Sequence, residues 1–388
     1  MSDLPGIDEA LALVLAQVRR LPLEDVAITA AAGRVLAEDA RAVVDLPPFA
    51  SSAMDGYAVR AADTPGSLNV VGHSAAGHPE QRTVGAGEAV VISTGAVVPE
   101  GADAVVPVER TTGEVDVEGV APGENVRPRG GDTYAGDVVV EAGNVLGPPQ
   151  VSALAAAGVA AVRCARRPRA AVLATGSELR APGEPLARGE IYESNSVLIA
   201  AQLAQAGVQA TVFPAVADDP AATLAALEQA LELDVLITSG GVSVGPHDLV
   251  RATLRELGAT EVFWQVAVKP GKPIAFATRG DTLVFGLPGN PVSSLVAFEL
   301  FVRPALRALQ GVRDPRPEYL PGRLAHAVAR NTQRDELLRA RRDGDQLVPL
   351  TGQDSHMIVR AAAANALVLV PRGEGELAQG TQVSYLQI

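Results

Sequence analysis

Val235-Leu-Ile-Thr-Ser-Gly-Gly-Val-Ser-Val-Gly-Pro-His-Asp248 decides how the rest of the chain is read. Its apolar start, Val235 to Thr238, has the length and composition of a buried strand. Three glycines and two serines follow before Asp248. Leu249, Val250, Leu254 and Leu257 then recur at helical spacing. Glycine permits positive φ and lets backbone N–H groups approach a ligand closely. The start of the next helix adds partial positive charge, so strand, glycine loop and helix together form an anion cradle. A lone Gly-Gly pair is more often a tight turn without a ligand, so the neighbouring segments have to decide.

Outward from this stretch the pattern is regular. A strand at Ala170–Ala174 precedes Thr175-Gly-Ser-Glu178, and a helix from Ser194-Asn195 stops at Gly207. A strand over 208–216 precedes Asp218-Asp219, where Asp219 reads as the cap of a helix opened by Pro220. A strand over 261–268 leads to Lys269-Pro-Gly-Lys272. The strand Thr282–Phe285 ends in Gly286-Leu-Pro-Gly-Asn-Pro291, followed by a helix to about Leu309. Alternation of this length predicts a mostly parallel α/β sheet with crossover helices. Ahead of it, residues 60–140 carry short valine-rich runs between glycines and prolines and read as a small β-rich domain. A helix capped by Asp8 precedes them, and an apolar helix over 147–165 follows and is expected to pair with it. Residues 311–322, with Pro315, Pro317 and Pro321, read as a linker to a small β domain with strands at 347–350, 367–370 and 383–386. The predicted fold class is therefore α/β plus β in a multidomain chain. The expected divisions are 1–45 with 141–167 (discontinuous, helical), 46–140 (β-rich), 168–312 (α/β) and 313–388 (C-terminal β).

The bulk numbers agree with several globular cores. The chain has 388 residues, 47% hydrophobic and 20% charged, with only 3% aromatic, and single cores seldom grow past about 250–300 residues. A net charge of −13 argues against a general nucleic-acid or anionic-membrane surface. Cys164 is the sole cysteine, which excludes an intrachain disulfide and a cysteine-based zinc site. The Met-Ser-Asp start lacks the basic segment of a signal peptide, and the longest apolar run, 151–162, is too short for a bilayer span. A cytoplasmic protein is the expectation.

Ligands of open α/β sheets bind at the carboxyl ends of the strands. Glu178, Asp218, Asp248, Lys269, Asn290 and Ser293 all follow predicted strands closely, so they are expected along one rim. Carboxylates gathered there repel one another: two unit charges about 4 Å apart cost roughly 4 kcal/mol at an effective dielectric near 20. Hard oxygen ligands with few histidines suit Mg²⁺, which bridges one or two carboxylates and substrate phosphates. The rim thus predicts a magnesium–phosphate site, although Asp218 or Asp248 taken singly is equally a helix cap. Gly241-Val-Ser-Val-Gly245 also matches a nucleophile elbow centred on Ser243, with His326 and His356 downstream. Ser239-Gly240 make that turn looser than an elbow, and both histidines fall in or beyond the linker. Gly271-Lys272-Pro273 is no Walker A motif, and Phe263 and Trp264 read as core.

Several segments together resemble one family, the molybdopterin molybdenumtransferases, similar to the E domain of gephyrin. They are Pro47-Pro-Phe49, Ser52-Ala-Met-Asp-Gly-Tyr-Ala58, Thr94-Gly-Ala96, Gly101-Ala-Asp-Ala-Val105 and Arg129-Gly-Gly-Asp132. Thr175-Gly-Ser-Glu-Leu179, Ile191-Tyr-Glu-Ser-Asn195, Ser239–Asp248, Lys269-Pro-Gly-Lys-Pro273 and Gly286-Leu-Pro-Gly-Asn-Pro-Val-Ser293 continue them in order. Departures are Ser51 where asparagine is common, Gly131 for a frequent glutamate, and Glu193 for aspartate. The resemblance implies insertion of molybdate into adenylylated molybdopterin with release of AMP, dependent on Mg²⁺. It also implies an elongated homodimer whose site lies between the α/β domain of one subunit and the β-rich domain of the other. By position, the implied catalytic residues are Asp55, Thr94 and Asp132 from one subunit and Glu178, Asp218 and Asp248 from the other. Asp218 and Asp248 are the implied metal ligands. Ser239, Gly240, Gly241, Ser243, Lys269, Lys272, Pro288, Asn290, Pro291 and Ser293 are the implied substrate contacts. Transient contact with a molybdopterin adenylyltransferase or apo-molybdoenzymes is a further expectation, with neither nucleic acid nor membrane as partner. A serine hydrolase and a turnover-free scaffold are the competing classes.

Overall fold

The computed structural model describes residues 4–112, 115–241 and 249–388. The chain divides into two units, residues 25–163 and the remainder.

In the larger unit, α1 (Ile7–Ala16) comes first. Strands and helices then alternate: β1 (Arg169–Ala174), α2 (Asn195–Gln205), β2 (Gln209–Val212), α3 (Pro220–Ala230), β3 (Val235–Ser239) and α4 (Leu249–Glu256). They are followed by β4 (Thr260–Trp264), β5 (Val268–Lys269), β6 (Ala275–Arg279), β7 (Thr282–Leu287), α5 (Pro291–Ala297) and α6 (Arg303–Leu309). The sheet order is β2-β1-β3-β7-β6-β4. The first four strands pair in parallel, and β6 and β4 add antiparallel ladders at one edge. Side chains alternate across a strand, and both faces here are covered. Ala170 and Val172 face the core that holds Ile199, Leu203 and Phe298, whereas Ala171 and Leu173 face Leu227, Leu231, Val250 and Leu254. This is why the parallel strands read as unbroken apolar runs.

Three differences from the sequence reading have plain causes. The strand expected over 261–268 is two strands, β4 and β5, because β4 hydrogen-bonds to β6 while β5 leaves the sheet for another. The helix expected to run to Leu309 is interrupted by a π turn at Phe298–Val302 just before Pro304, where the ring removes an N–H and a widened turn accommodates it. The N-terminal helix, expected to pair with the helix at 147–165, instead buries Ile7, Ala10, Leu11 and Val14 in the α/β core beside Leu306 and Leu309. Leu21 N donates to Leu309 O at 2.9 Å.

The same unit ends in β8 (Leu320–Leu324), β9 (Asp335–Asp343), β10 (Gln346–Pro349), β11 (Ala366–Val370) and β12 (Gln382–Gln387). Their order is β9-β10-β8-β12-β11, and pairing of β9 with β11 closes the sheet on itself like a barrel. β5 joins it through β9, placing Lys269 opposite Glu336. The longest strand, β9, went unread in the sequence because its buried run includes Glu336 and Arg339.

The smaller unit is β-rich. Its principal sheet has the order Asn69–Ser74, Glu88–Ile92, Gly56–Val59, Ala104–Pro107, with Ala58, Val59, Val90, Ile92, Val105 and Val106 buried. Ser51–Ser52 pairs with Val126–Arg127; the helix expected over 147–165 spans only Pro148–Ala156, opening on Pro148-Pro149 after Gly147, and Ala161–Ala165 is a strand. Among the described residues, no helix is long and apolar enough to cross a membrane.

Candidate active site

The chain leaves β1 toward β2 and returns through α3 to β3 on the other side of β1. The loops after β1 and β3 therefore diverge, which opens a crevice at the carboxyl ends of these strands. Backbone bonds stitch the loops around it. Thr175 N donates to Ser239 O (3.1 Å), Gly176 N to Val216 O (3.0 Å), and Gly240 N to Leu287 O (3.2 Å). Asp218 is tied into the first of these loops: its Oδ2 accepts from Ser177 Oγ (3.0 Å) and Ser177 N (3.3 Å), and its own N–H donates to Ser177 Oγ. Asp219, as expected, caps α3 by accepting from Ala222 N at 2.7 Å.

The two glycines are sterically required. Gly240 has φ 87° and Gly241 φ 64°. A Cβ on Gly240 would lie 2.8 Å from Thr175 O, and one on Gly241 would lie 2.6 Å from Val250 Cγ2. Gly289 runs alongside, its would-be Cβ 4.0 Å from Gly240 Cα. The loops carrying Glu178, Asp218, Ser239–Gly241 and Pro288–Asn290 adjoin at these strand ends, whereas Lys269, expected on the same rim, lies in β5, which pairs with β9 outside this sheet. Glu178 is exposed, with its carboxylate folded back toward Gly176. Ser243 and Asp248, and with them the serine-elbow motif, lie outside the described residues.

Pro291 opens α5, and Asn290 stands at its N-cap position without a side-chain capping bond. Asn290 Nδ2 donates to Ser355 Oγ (2.8 Å), while Ser294 Oγ donates to Pro288 O (2.6 Å). Ser293 is buried and sits against Gly271, which brings the Lys269–Lys272 turn to the first turn of α5. Lys269 Nζ is 3.0 Å from Glu336 Oε1, and Lys272 is exposed. Sequence reasoning missed two contributors here. Asn195, at the start of α2, donates from Nδ2 to both Ser239 Oγ and Gly289 O, each at 2.7 Å. Arg339, fully buried, holds the turn that carries Ser355 by donating to Met357 O, Gly352 O and Asp354 O. Burial holds its pKa below the usual arginine value.

In the smaller unit, Thr94 N donates to Asp55 Oδ1 at 2.7 Å, so these two implied site residues do meet. Asp132 is exposed, and its N–H donates to Leu46 O (2.9 Å). Its loop is shaped by a residue the sequence did not single out, Asp45, which accepts from Ala135 N (2.9 Å) and Arg129 Nε (2.6 Å). Those two bonds, the Ala135 amide first, hold the Asp45 carboxyl below the ordinary carboxylate range.

A glycine turn and a tethered carboxylate at a switch point resemble nucleotide-handling sites in general, and comparison with known proteins narrows the choice. Residues 6–158 match the MoeA N-terminal region (domain I and II), residues 171–308 a probable molybdopterin binding domain, and residues 321–388 the MoeA C-terminal region (domain IV). The molybdopterin molybdenumtransferase 2 of Mycobacterium tuberculosis is 39% identical over 380 residues, covering 92% of this chain and 93% of that protein. The chain belongs to the MoeA-type molybdopterin molybdenumtransferase family. The Haemophilus influenzae molybdopterin molybdenumtransferase is 38% identical over 371 residues, with 91% of each chain covered. A crystal structure of a molybdopterin biosynthesis MoeA protein from Pyrococcus horikoshii covers all of both chains at 28% identity with a TM-score of 0.86. This membership makes the chain a transferase of molybdenum cofactor biosynthesis with a mixed α/β multidomain fold.

Proposed function

We propose that this MoeA-type transferase inserts molybdate into adenylylated molybdopterin, releases AMP and forms molybdenum cofactor in an Mg²⁺-dependent reaction. The observation that carries the reading is the stitched rim, where Gly240-Gly241 and Ser239 offer a cradle for phosphate beside the tethered carboxylate of Asp218. Asp218 has one oxygen committed to Ser177 and no partner among the described residues for Oδ1. That leaves a hard oxygen donor suited to a divalent cation. Mg²⁺ is commonly held by one or two carboxylates plus phosphate oxygens. Asp218 and, beyond the described residues, Asp248 are the proposed ligands. Bound there, the cation supplies charge neutralisation to the phosphate oxygens.

The chain's own groups act by placement and charge. Gly240 and Gly241 let the loop backbone close on the phosphate, Ser243 adds a hydroxyl, and Lys269 and Lys272 attract the molybdate dianion next to Ser293. Pro288, Asn290 and Pro291 set the wall opposite the glycines, and Glu178 orients the pterin side or a water. Asp55, Thr94 and Asp132 of one copy are proposed to complete the rim of the other in a homodimer. Molybdopterin adenylyltransferase and apo-molybdoenzymes are proposed as transient delivery and acceptor partners.

The test mixes purified protein with adenylylated molybdopterin, Mg²⁺ and molybdate and follows AMP. Release must depend on molybdate and fall by about a hundredfold or more in Asp218→Asn. Release that ignores molybdate, or is unchanged in the variant, would overturn the assignment.

A further inference from the structure

Asn195 touches the rim without having been predicted to, and its bonding pattern is asymmetric. It is 8% exposed, the first residue of α2, and both hydrogens of its amide are used: one on Gly289 O, the other on Ser239 Oγ. A backbone carbonyl can only accept, so the Gly289 contact fixes which end of the amide is nitrogen. With that end fixed, Ser239 Oγ is an acceptor, and its own hydrogen must point elsewhere. No acceptor for that hydrogen occurs among the described residues. Asn195 Oδ1, at the other end of the amide, is buried without a partner. An orphaned buried acceptor is costly, so packing alone is a poor reason for an amide at this position.

We propose that Asn195 is a positioning residue that sets the polarity of the Ser239 hydroxyl, so that Ser239 presents its hydrogen to a phosphate oxygen on the rim. This rests on reading the rim as a phosphate site. The backbone on either side of the hydroxyl is rigid: Ser239 O accepts from Thr175 N, Gly240 N donates to Leu287 O, and Ser239 pairs with Ala174 on one side and Leu287 on the other. Only the hydroxyl rotor remains free, and Asn195 fixes it. The same amide joins α2 to two loops distant in sequence, so the donor and the Pro288–Asn290 wall are set together.

Polarity and packing make opposite predictions. Asn195→Asp keeps the shape but replaces the donor by an acceptor. The Ser239 hydrogen then turns to the carboxylate, and negative charge is added beside the anion. Asn195→Ala removes the clasp yet leaves Ser239 able to donate. Calorimetric titration with AMP, paired with thermal unfolding, separates the two roles. For Asn195→Asp and Ser239→Ala the AMP Kd should rise by about 10- to 100-fold, the effect of losing a charge-assisted hydrogen bond. For Asn195→Ala it should rise by about 2- to 10-fold. If Asn195→Ala weakens binding as much as or more than Asn195→Asp, Asn195 is only packing and the proposal fails. Should Asn195→Asp not fold, Ser239→Ala must still weaken AMP more than Asn195→Ala does, and the reverse order overturns the proposal. Parent protein that binds no AMP would remove the phosphate reading and the proposal with it. Parent binding with unaltered Kd in Asn195→Asp and Ser239→Ala would remove the proposal alone.

Discussion

Replacing Gly240 by alanine tests the rim most directly, because its cost follows from two separate distances. At φ 87° an alanine stands in left-handed backbone, which costs about 1–2 kcal/mol. Its Cβ would lie 2.8 Å from Thr175 O and 3.3 Å from Thr175 Oγ1. The carbonyl cannot simply retreat, since Thr175 N donates to Ser239 O and Thr175 bridges Val216. Overpacking a fixed site costs about 1–3 kcal/mol. The total, about 2–5 kcal/mol, is below the roughly 5–15 kcal/mol that holds a domain together, so the protein folds with a displaced or strained loop. At about 2–4 °C per kcal/mol for a domain of this size, the melting temperature should drop by about 4–20 °C. AMP release should fall with it, because the cradle is built from the displaced backbone. Gly289→Ala is the control: φ is not positive there, and the nearest atom to the new Cβ is at 4.0 Å. It should lie within about 0.5 kcal/mol of the parent. Thermal unfolding and AMP release on the two variants decide the matter. If Gly240→Ala matches Gly289→Ala in both, the steric account of the glycine loop is wrong.

Arg339→Met should lower stability by about 3–5 kcal/mol in urea unfolding, because it strips the carbonyls of Gly352, Asp354 and Met357 of their donor and loosens Ser355 under Asn290. Arg339→Lys should not restore it, since the planar fork is what reaches three carbonyls; a fully stable lysine variant would refute this. Asp234 offers a pH test. Burial alone would raise its pKa, but bonds from Arg166, Arg169 N and the Arg169 side chain outweigh that and hold it below 3.8. A folded pKa depressed below the unfolded one means the contribution is present above about pH 4 and lost as pH falls through the folded value. Asp234→Asn should therefore be less stable than the parent at pH 7, with the gap narrowing toward pH 3 in urea midpoints. A gap independent of pH would show that these ion pairs do not set it.

Much of the α/β region was legible because its determinants are local. Apolar runs bounded by glycine fixed β1, β3 and β7, Asp219-Pro220 fixed the start of α3, and strand ends placed Asp218 and Ser239 on a common rim. Reading failed where a residue's environment comes from distant chain. Glu336 and Arg339 look like surface residues, yet they are buried in β9, where Lys269 and the 352–357 turn meet them. The N-terminal helix gave its length and apolar face, but nothing in it names Leu306 and Leu309 as partners. Asp55 and Thr94 were singled out by motif, whereas their contact spans 39 positions.

The sequence by itself determined the alternation of strands and helices, the glycine positions that demand positive φ, and the acids and lysines near strand ends. These are set by side-chain period and backbone sterics within a few residues. Only the tertiary structure decided which ends become neighbours. The order β2-β1-β3-β7 brings Asn195 against Ser239 and Gly289, 44 and 94 residues away. Chain order does not encode that order; it comes from crossovers that bury both faces of the sheet at once.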